Sequence, residues 1–98
     1  MFGLPENVLE LLQHYFVNHT QIIKVMIYGS RAMGRDHSGS DIDIAIITST
    51  KDDIAFQIKR DLEALPTPYL FDVIDYRYIT NAPLRAHIDR VGKTLFER

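Results

Sequence analysis

The chain has 98 residues, enough for one domain and too few for two, so we expect a single domain over residues 1–98. It contains no cysteine, which excludes disulfides, thiolate zinc sites and cysteine nucleophiles and is typical of the reducing cytoplasm, where we expect the protein to reside. The formal net charge of −2 lacks the basic excess of a general nucleic-acid binder, so we expect no such binding.

The first predicted element is a helix over residues 5–17. Pro5 suits the first helical turn, where its missing N–H costs little. Apolar side chains then recur at the spacing of one helix face, at Val8, Leu11, Leu12, Tyr15 and Phe16. No basic segment followed by an apolar run opens the chain, so we expect no secretory signal.

Two strands are predicted on either side of a polar loop. Residues 22–28 are rich in β-branched and apolar side chains and predict a strand. This longest apolar stretch contains Lys24 and is too short to span a bilayer, so we expect no membrane association. Residues 31–40 are polar and include two glycines, which indicates a loop. Residues 42–48 predict a second strand, and because it is apolar on both faces we expect it to be central in its sheet.

The next predicted helix has its apolar side chains at helical spacing, at Ile54, Ile58, Leu62 and Leu65. Ser49 or Thr50 can cap its start, and Pro66 ends it. The charged run 59–61 is typical of a solvated helix face. Residues 69–76 then predict a third strand.

The C-terminal part predicts a last helix over residues 83–91, which Thr80 or Asn81 can cap. Gly92 suits the position just past that helix, and the apolar residues 95–96 should pack back on the body of the domain. The order of elements is helix, strand, loop, strand, helix, strand and helix. It predicts an α/β (α+β) fold in which a small mixed sheet is flanked by helices.

The residues that indicate chemistry lie between the first two strands. Asp41 and Asp43 are two positions apart on a strand, so both carboxylates point to the same face. Two carboxylates held this close repel each other unless a cation lies between them. Oxygen ligands of this kind suit Mg²⁺, which takes further ligands from substrate phosphates. The pair therefore predicts a metal site for phosphoryl or nucleotidyl transfer, in which we expect two Mg²⁺ ions, or Mn²⁺ in their place.

The turn that leaves the first strand supplies the complementary phosphate site. Gly29 lets the backbone approach a phosphate, and Ser30 adds a hydroxyl donor. Arg31 or Arg35 can add positive charge against a triphosphate. Each feature alone has a simpler explanation, since a Gly-Ser turn is common and an Asp-Ile-Asp strand start is more often a solvated edge. Together they favour function, because a strand buried on both faces does not normally carry two unpaired acids.

Gly29-Ser30-Arg31 followed by Ser40-Asp41-Ile42-Asp43-Ile44 resembles the signature of the DNA polymerase beta-like nucleotidyltransferase superfamily, and in particular its small prokaryotic minimal nucleotidyltransferase group. The resemblance covers nearly the whole chain, including residues 84–96. It implies the nucleotidyltransferase fold and a nucleoside triphosphate substrate, expected to be ATP. The residues assigned by it to nucleotide binding are Gly29, Ser30, Arg31 and Ser40.

In that family a third acid on a neighbouring strand completes the metal site with the first two. Asp72 and Asp75 are the candidates, and since they lie on opposite faces of the third strand only one of them can meet the pair. The family pattern, an acid framed by apolar residues, matches Asp72, whose expected role is metal ligand and base for the acceptor hydroxyl. Asp75 is then expected to be a surface acid at the end of the strand.

The resemblance also implies a partner. Larger relatives carry a second domain that binds the acceptor, and since we expect none here, the acceptor must come from elsewhere. In the minimal group the partner is an all-helical protein of the HEPN type, often a toxin. Some members transfer AMP to a tyrosine hydroxyl of the partner, and others neutralise it mainly by binding. We therefore expect a hetero-oligomer with a HEPN-type protein, and two functions stay open, an AMP-transferring antitoxin and an interaction module.

Overall fold

A mixed four-stranded sheet flanked by helices organises the residues that the computed structural model describes, 1–34 and 41–98. This architecture confirms the predicted fold class. Arg35 and Ser40, both named above as nucleotide ligands, lie outside the described residues. None of the described helices is long and apolar enough to cross a membrane. In chain order the elements are α1 (Glu6–Asn18), β1 (Ile22–Tyr28), β2 (Ile42–Thr48), α2 (Ala55–Glu63), β3 (Phe71–Asp75), a 3-10 turn (Tyr76–Tyr78), α3 (Ala82–Val91) and β4 (Lys93–Glu97).

The strand order β3-β2-β1-β4 places β2 between β3 and β1. β1 is antiparallel to both β2 and β4, whereas β2 and β3 are parallel. A parallel pair needs a crossover connection, and α2 supplies it between β2 and β3. The side chains of Ile42, Ile44, Ala45 and Ile46 are inaccessible to solvent, which confirms the predicted central position of β2.

The two faces of the sheet are covered differently. On one face α1 and α2 bury the main core, whose inaccessible helix side chains include Leu12, Phe16, Ile58 and Leu62. On the other face a smaller cluster joins Ile88 of α3 to Tyr28 and Ala45 of the sheet. Because burial of one large aliphatic side chain contributes about 1.5–3 kcal/mol, the α1–α2 face supplies most of the stability. The α3 face, with its thinner cover, carries the acidic residues described below.

The start of α2 differs from the sequence prediction. Ser49 donates to the Gln21 carbonyl, and the Thr50 hydroxyl accepts a backbone N–H two residues further on. The Asp53 carboxylate, three residues further along, accepts the Ala55 N–H at 3.0 Å. The prediction that Ser49 or Thr50 caps the helix was therefore wrong, because both hydroxyls are used in the connection that leaves β2.

The C-terminal segment forms an edge strand, and its apolar residues pack inward as expected. β4 pairs with β1, and Leu95 and Phe96 are buried in the main core. The turn that precedes β4 requires Gly92, since a Cβ there would lie 2.5 Å from the Ile88 carbonyl oxygen. The predicted Asn81 cap of α3 is confirmed, because its side chain accepts a backbone N–H of the first turn at 2.9 Å.

Candidate active site

Three carboxylates lie at one end of the α3 face, two on the parallel strands β2 and β3 and one just before β2. In the register of β2 and β3, Asp43 is the partner of Asp72, so both side chains leave the sheet on the same side. The Asp72 carboxylate lies close enough to Asp43 to raise the pKa of that carboxyl. Asp41 precedes β2 by one residue and shares the face of Asp43. The third acid and the first two therefore meet through strand pairing, and their role as metal ligands is a prediction that the geometry permits.

The charges of Asp72, Asp41 and Arg31 all act on the Asp43 carboxylate. Burial, the Asp72 carboxylate and, more weakly, Asp41 raise its pKa to about 6, while the Arg31 guanidinium acts in the opposite direction. A cation beside these carboxylates would relieve their mutual repulsion, so the negative charge of the site favours a bound cation.

Position 29 requires glycine for two reasons, the backbone conformation of the turn and the nearby Asp43 carboxylate. Gly29 has a φ of +73°, in the left-handed region, and a Cβ there would lie 2.5 Å from Asp43 Oδ2. Its carbonyl accepts the Met33 N–H at 3.2 Å, which closes the turn after β1. The turn therefore lies directly against the Asp43 carboxylate, and the next residue, Ser30, is half-buried. A triphosphate held by Gly29 and Ser30 would be adjacent to the acids.

Arg31 lies inside the protein rather than on the rim of the site. It is 3% exposed, its Nη1 donates to the Phe2 carbonyl at 3.1 Å, and its guanidinium stacks 5.2 Å from the Tyr69 ring centroid. It is close enough to Asp43 to lower the pKa of that carboxyl. Arg31 therefore links the N-terminal segment to Tyr69, two residues before β3, and brings a positive charge close to Asp43. Its direct contact with a nucleotide stays a prediction.

Tyr28 and His87 form the wall of the site next to β1. Tyr28 pairs with Asp43 across β1 and β2 and is 9% exposed, so its ring is packed inside the protein. Burial, followed by the charges of Asp43 and Asp72, raises its pKa to about 12, so the hydroxyl stays neutral and can donate a hydrogen bond. The His87 ring of α3 stands edge-on to Tyr28 with centroids 6.2 Å apart. Nothing in the local sequence pattern indicated His87.

Asp75 has a structural role that the sequence did not indicate. It is 3% exposed, and its carboxylate accepts the Arg77 backbone N–H at 3.0 Å and binds Arg77 Nη2 at 2.8 Å. The same Nη2 donates to the Thr48 hydroxyl at 2.9 Å. The expectation that Asp75 is a surface acid was wrong, because the chain turns into the 3-10 segment there and encloses the carboxylate.

The charged run 59–61 of α2 is also more than a solvated face. Lys59 Nζ donates to the Phe71 carbonyl at 2.7 Å, and Asp61 accepts the Tyr15 hydroxyl at 2.7 Å. The backbone of Phe71 makes a second hydrogen bond to α2, because Glu63 accepts the Phe71 N–H at 2.8 Å. The expectation of a solvated face was therefore wrong for Lys59 and Asp61, since only the folded chain brings β3 and α1 against α2.

The three acids fit a hard divalent cation in the chemistry of their donors, since all are carboxylates. Among residues 1–34 and 41–98, no group of three or more possible ligands is already arranged around one point. Asp43 is half-buried, whereas Asp41 and Asp72 are exposed.

The sequence model of the family described as polymerase beta, nucleotidyltransferase, matches residues 10–98 of the chain. The matched region contains the Gly29 turn and all three acids. A search among curated proteins finds no match.

Solved structures similar to the chain include several toxin–antitoxin complexes. A chain in the crystal structure of a toxin–antitoxin with AMP-PNP is 28% identical, with 97% of this chain and 75% of that chain covered and a TM-score of 0.70. A chain in the crystal structure of the toxin–antitoxin MntA-HepT is 21% identical, with coverages of 94% and 71% and a TM-score of 0.64. A chain in the structure of tri-AMPylated Shewanella oneidensis HEPN toxin in complex with MNT antitoxin is 20% identical, with coverages of 92% and 73% and a TM-score of 0.62. The last two likenesses show a shared fold.

Proposed function

Because the chain belongs to the polymerase beta nucleotidyltransferase family, we propose that it transfers AMP from ATP to a hydroxyl group of a HEPN-type helical partner and acts as the antitoxin of that partner. The observation that carries the proposal is the register that aligns Asp43 with Asp72, beside a turn in which Gly29 leaves room for the Asp43 carboxylate. Paired acids next to a glycine turn are what a triphosphate and its metal require.

Mg²⁺ is the cation that we assign to Asp41, Asp43 and Asp72, in two copies and with Mn²⁺ as a substitute. When bound, it supplies positive charge that the triphosphate and the leaving pyrophosphate need. The chain itself provides the anchor points. Asp43 is partly buried and backed by the charge of Arg31, so it is the rigid member of the set, whereas Asp41 and Asp72 are exposed.

The turn after β1 is the assigned binding site for the triphosphate. The Gly29 and Ser30 backbone and the Ser30 hydroxyl can donate hydrogen bonds to phosphate oxygens. Arg31 adds charge from behind the acids, and we assign Ser40 to the same binding role from the sequence signature. The binding residues on the turn and the acids on β2 and β3 thus converge from neighbouring elements.

Asp72 is the base that we assign to the reaction. It is exposed at the edge of the sheet, where an acceptor hydroxyl can approach it. The acceptor oxygen forms a bond to the α-phosphorus of ATP, the bond from that phosphorus to the bridging oxygen breaks, and pyrophosphate leaves. The hydroxyl proton goes to the Asp72 carboxylate. Transfer then leaves AMP on the acceptor oxygen.

The HEPN-type partner is supported by the names of the similar structures, one of which contains AMP-PNP and another an AMPylated HEPN toxin. An exposed apolar side chain near the acids agrees with a protein acceptor. Leu70 is 59% exposed and lies two residues before Asp72 in the chain. Its carbonyl accepts the Ile42 N–H at 3.0 Å, so it is held next to the start of β2.

The decisive experiment is incubation of the protein with a HEPN protein encoded beside it, ATP labelled at the α-phosphate, and Mg²⁺. We expect label on the partner, with mass spectrometry placing AMP on a hydroxyl side chain. Asp43→Asn should abolish the labelling while the variant still binds the partner. A partner that is bound tightly and neutralised but never labelled would favour the interaction module, and label on RNA or a small molecule would contradict the proposed acceptor.

A further inference from the structure

The backbone of β3 is held from outside the sheet by a pair of side chains on α2. Lys59 and Glu63 are one helical turn apart and form an ion pair with Nζ and Oε2 at 2.7 Å. Lys59 Nζ also donates to the Phe71 carbonyl at 2.7 Å, and Glu63 Oε2 accepts the Phe71 N–H at 2.8 Å. One ion pair therefore satisfies both backbone hydrogen-bonding groups of a single residue, the one immediately before Asp72.

These backbone groups have no partner within the sheet ladder because of where β3 lies. β3 is an edge strand, and β2 is its one neighbour in the described sheet. The Ile42 N–H of β2 bonds to the Leu70 carbonyl, so the backbone of Leu70 faces β2 and that of the next residue faces away. The outward N–H and carbonyl of an edge strand are ordinarily left to water or to another chain. Here the ion pair of α2 occupies them.

The charges of Asp72 and Asp41 also act on Lys59 of this ion pair. The pKa of Lys59 is raised by its hydrogen bond to Glu63 and, among weaker contributions, by the charges of Asp72 and Asp41. The side chains of Lys59 and Glu63 are 33% and 26% exposed, respectively, so both are partly sheltered by the strand. A purely superficial helix ion pair would not need contacts to the backbone of another element.

We propose that Lys59 and Glu63 are positioning residues for Asp72, which hold the start of the edge strand in the register that keeps Asp72 beside Asp43. This inference rests on the proposed role of Asp72 as a metal ligand. β3 has five residues, and its parallel pairing with β2 is the feature that brings the acids together. Loss of the anchor at Phe71 therefore loosens the strand where the carboxylate leaves it.

The first test measures whether the Lys59–Glu63 pair, called the clamp from here on, holds the backbone of Phe71. Hydrogen exchange of the Phe71 amide, followed by NMR, should accelerate about fivefold in Glu63→Met, since a hydrogen bond of ordinary net strength is lost. Glu63→Gln keeps an oxygen acceptor and should give an intermediate rate. Lys59→Arg keeps the cationic donor and should stay close to the wild-type rate, whereas Lys59→Met should not. Unchanged exchange in Glu63→Met would show that the Phe71 contact does not hold the strand in solution.

The second test measures the consequence for Asp72, with Mn²⁺ binding in the presence of AMP-PNP followed by electron paramagnetic resonance. Lys59→Met and Glu63→Met should each weaken Mn²⁺ binding about tenfold, the lower end of the effect of residues that orient metal ligands. Lys59→Arg should restore most of it. Wild-type affinity in both methionine variants would overturn the proposal.

Tyr15→Phe is the matched control, because it removes another contact of α2, the 2.7 Å hydrogen bond to Asp61, without touching β3. At a similar loss of thermal stability it should leave Mn²⁺ binding unchanged. Equal weakening in Tyr15→Phe would mean that stability alone sets the affinity, and the positioning role would fall. Asp72→Asn distinguishes the proposed ligand role of Asp72 from the positioning role of Lys59 and Glu63. If this variant loses Mn²⁺ while the clamp variants bind normally, only the clamp is wrong, whereas normal binding by Asp72→Asn contradicts the proposed ligand and the clamp together.

Discussion

Gly29→Ala is expected to damage the active site far more than the fold. An alanine at a φ of +73° costs about 1–2 kcal/mol, because its Cβ crowds the backbone in the left-handed region. At about 4–8 °C per kcal/mol for a domain of this size, the melting temperature should fall without loss of the folded state. The new Cβ would also lie 2.5 Å from Asp43 Oδ2, against the 3.4 Å at which ordinary contact begins, so the carboxylate has to move by about 0.9 Å.

That displacement sets the expected loss of activity. A misplacement of about 1 Å at a reacting site can cost on the order of 100-fold in rate, so we expect AMP transfer to fall by about that factor. Gly34→Ala is the matched control, since Gly34 has a φ of +71° and no described atom within 4 Å of the added Cβ. It should show the same decrease in melting temperature with transfer near the wild-type rate.

The assay is transfer of labelled AMP to the HEPN partner at saturating ATP and Mg²⁺, with thermal unfolding recorded on the same preparations. The reasoning would be refuted by a Gly29→Ala variant that transfers at the wild-type rate. It would equally be refuted if both alanine variants lost transfer in proportion to their stability, because the contact with Asp43 would then have no separate effect.

Three further outcomes are expected. Asp72→Asn should abolish transfer with little change in stability. Asp75→Asn should instead weaken the buried bonds to Arg77 and lower the free energy of unfolding by about 2 kcal/mol, while transfer persists. Denaturant titration measures the stability of both variants, and the labelling assay measures their transfer. Because the folded-state pKa of Asp43, at about 6, lies above its unfolded value near 4, the folded state binds the extra proton between these values. Without metal, stability should therefore fall as pH rises from about 4 to 6, and a flat wild-type profile, or an unchanged slope in Asp43→Asn, would contradict this assignment. Removal of divalent cations by EDTA should stop transfer and added Mg²⁺ or Mn²⁺ should restore it, so undiminished labelling in EDTA would contradict the metal assignment.

Much of the fold could be predicted because its signals are local. The helical spacing of apolar residues placed α1 and α2 within a few residues. Residues 42–48 carry apolar side chains on both faces in addition to Asp43, and this pattern predicted a central strand. The strand β4 was expected only as a packed tail. Its five residues are too short and too polar to predict a strand without β1 beside them.

The site divides in the same way. Asp41 and Asp43 share a face by the two-residue period of a strand, and Gly29 follows from the turn, so the sequence by itself determined these candidates. The position of Asp72 beside Asp43, the enclosure of Asp75 by Arg77 and the contact of Lys59 with Phe71 were decided only by the tertiary structure. The physical reason is that side-chain direction along one strand depends on neighbouring residues alone. The register between β2 and β3 depends on how α2 crosses over and packs, which no local pattern specifies.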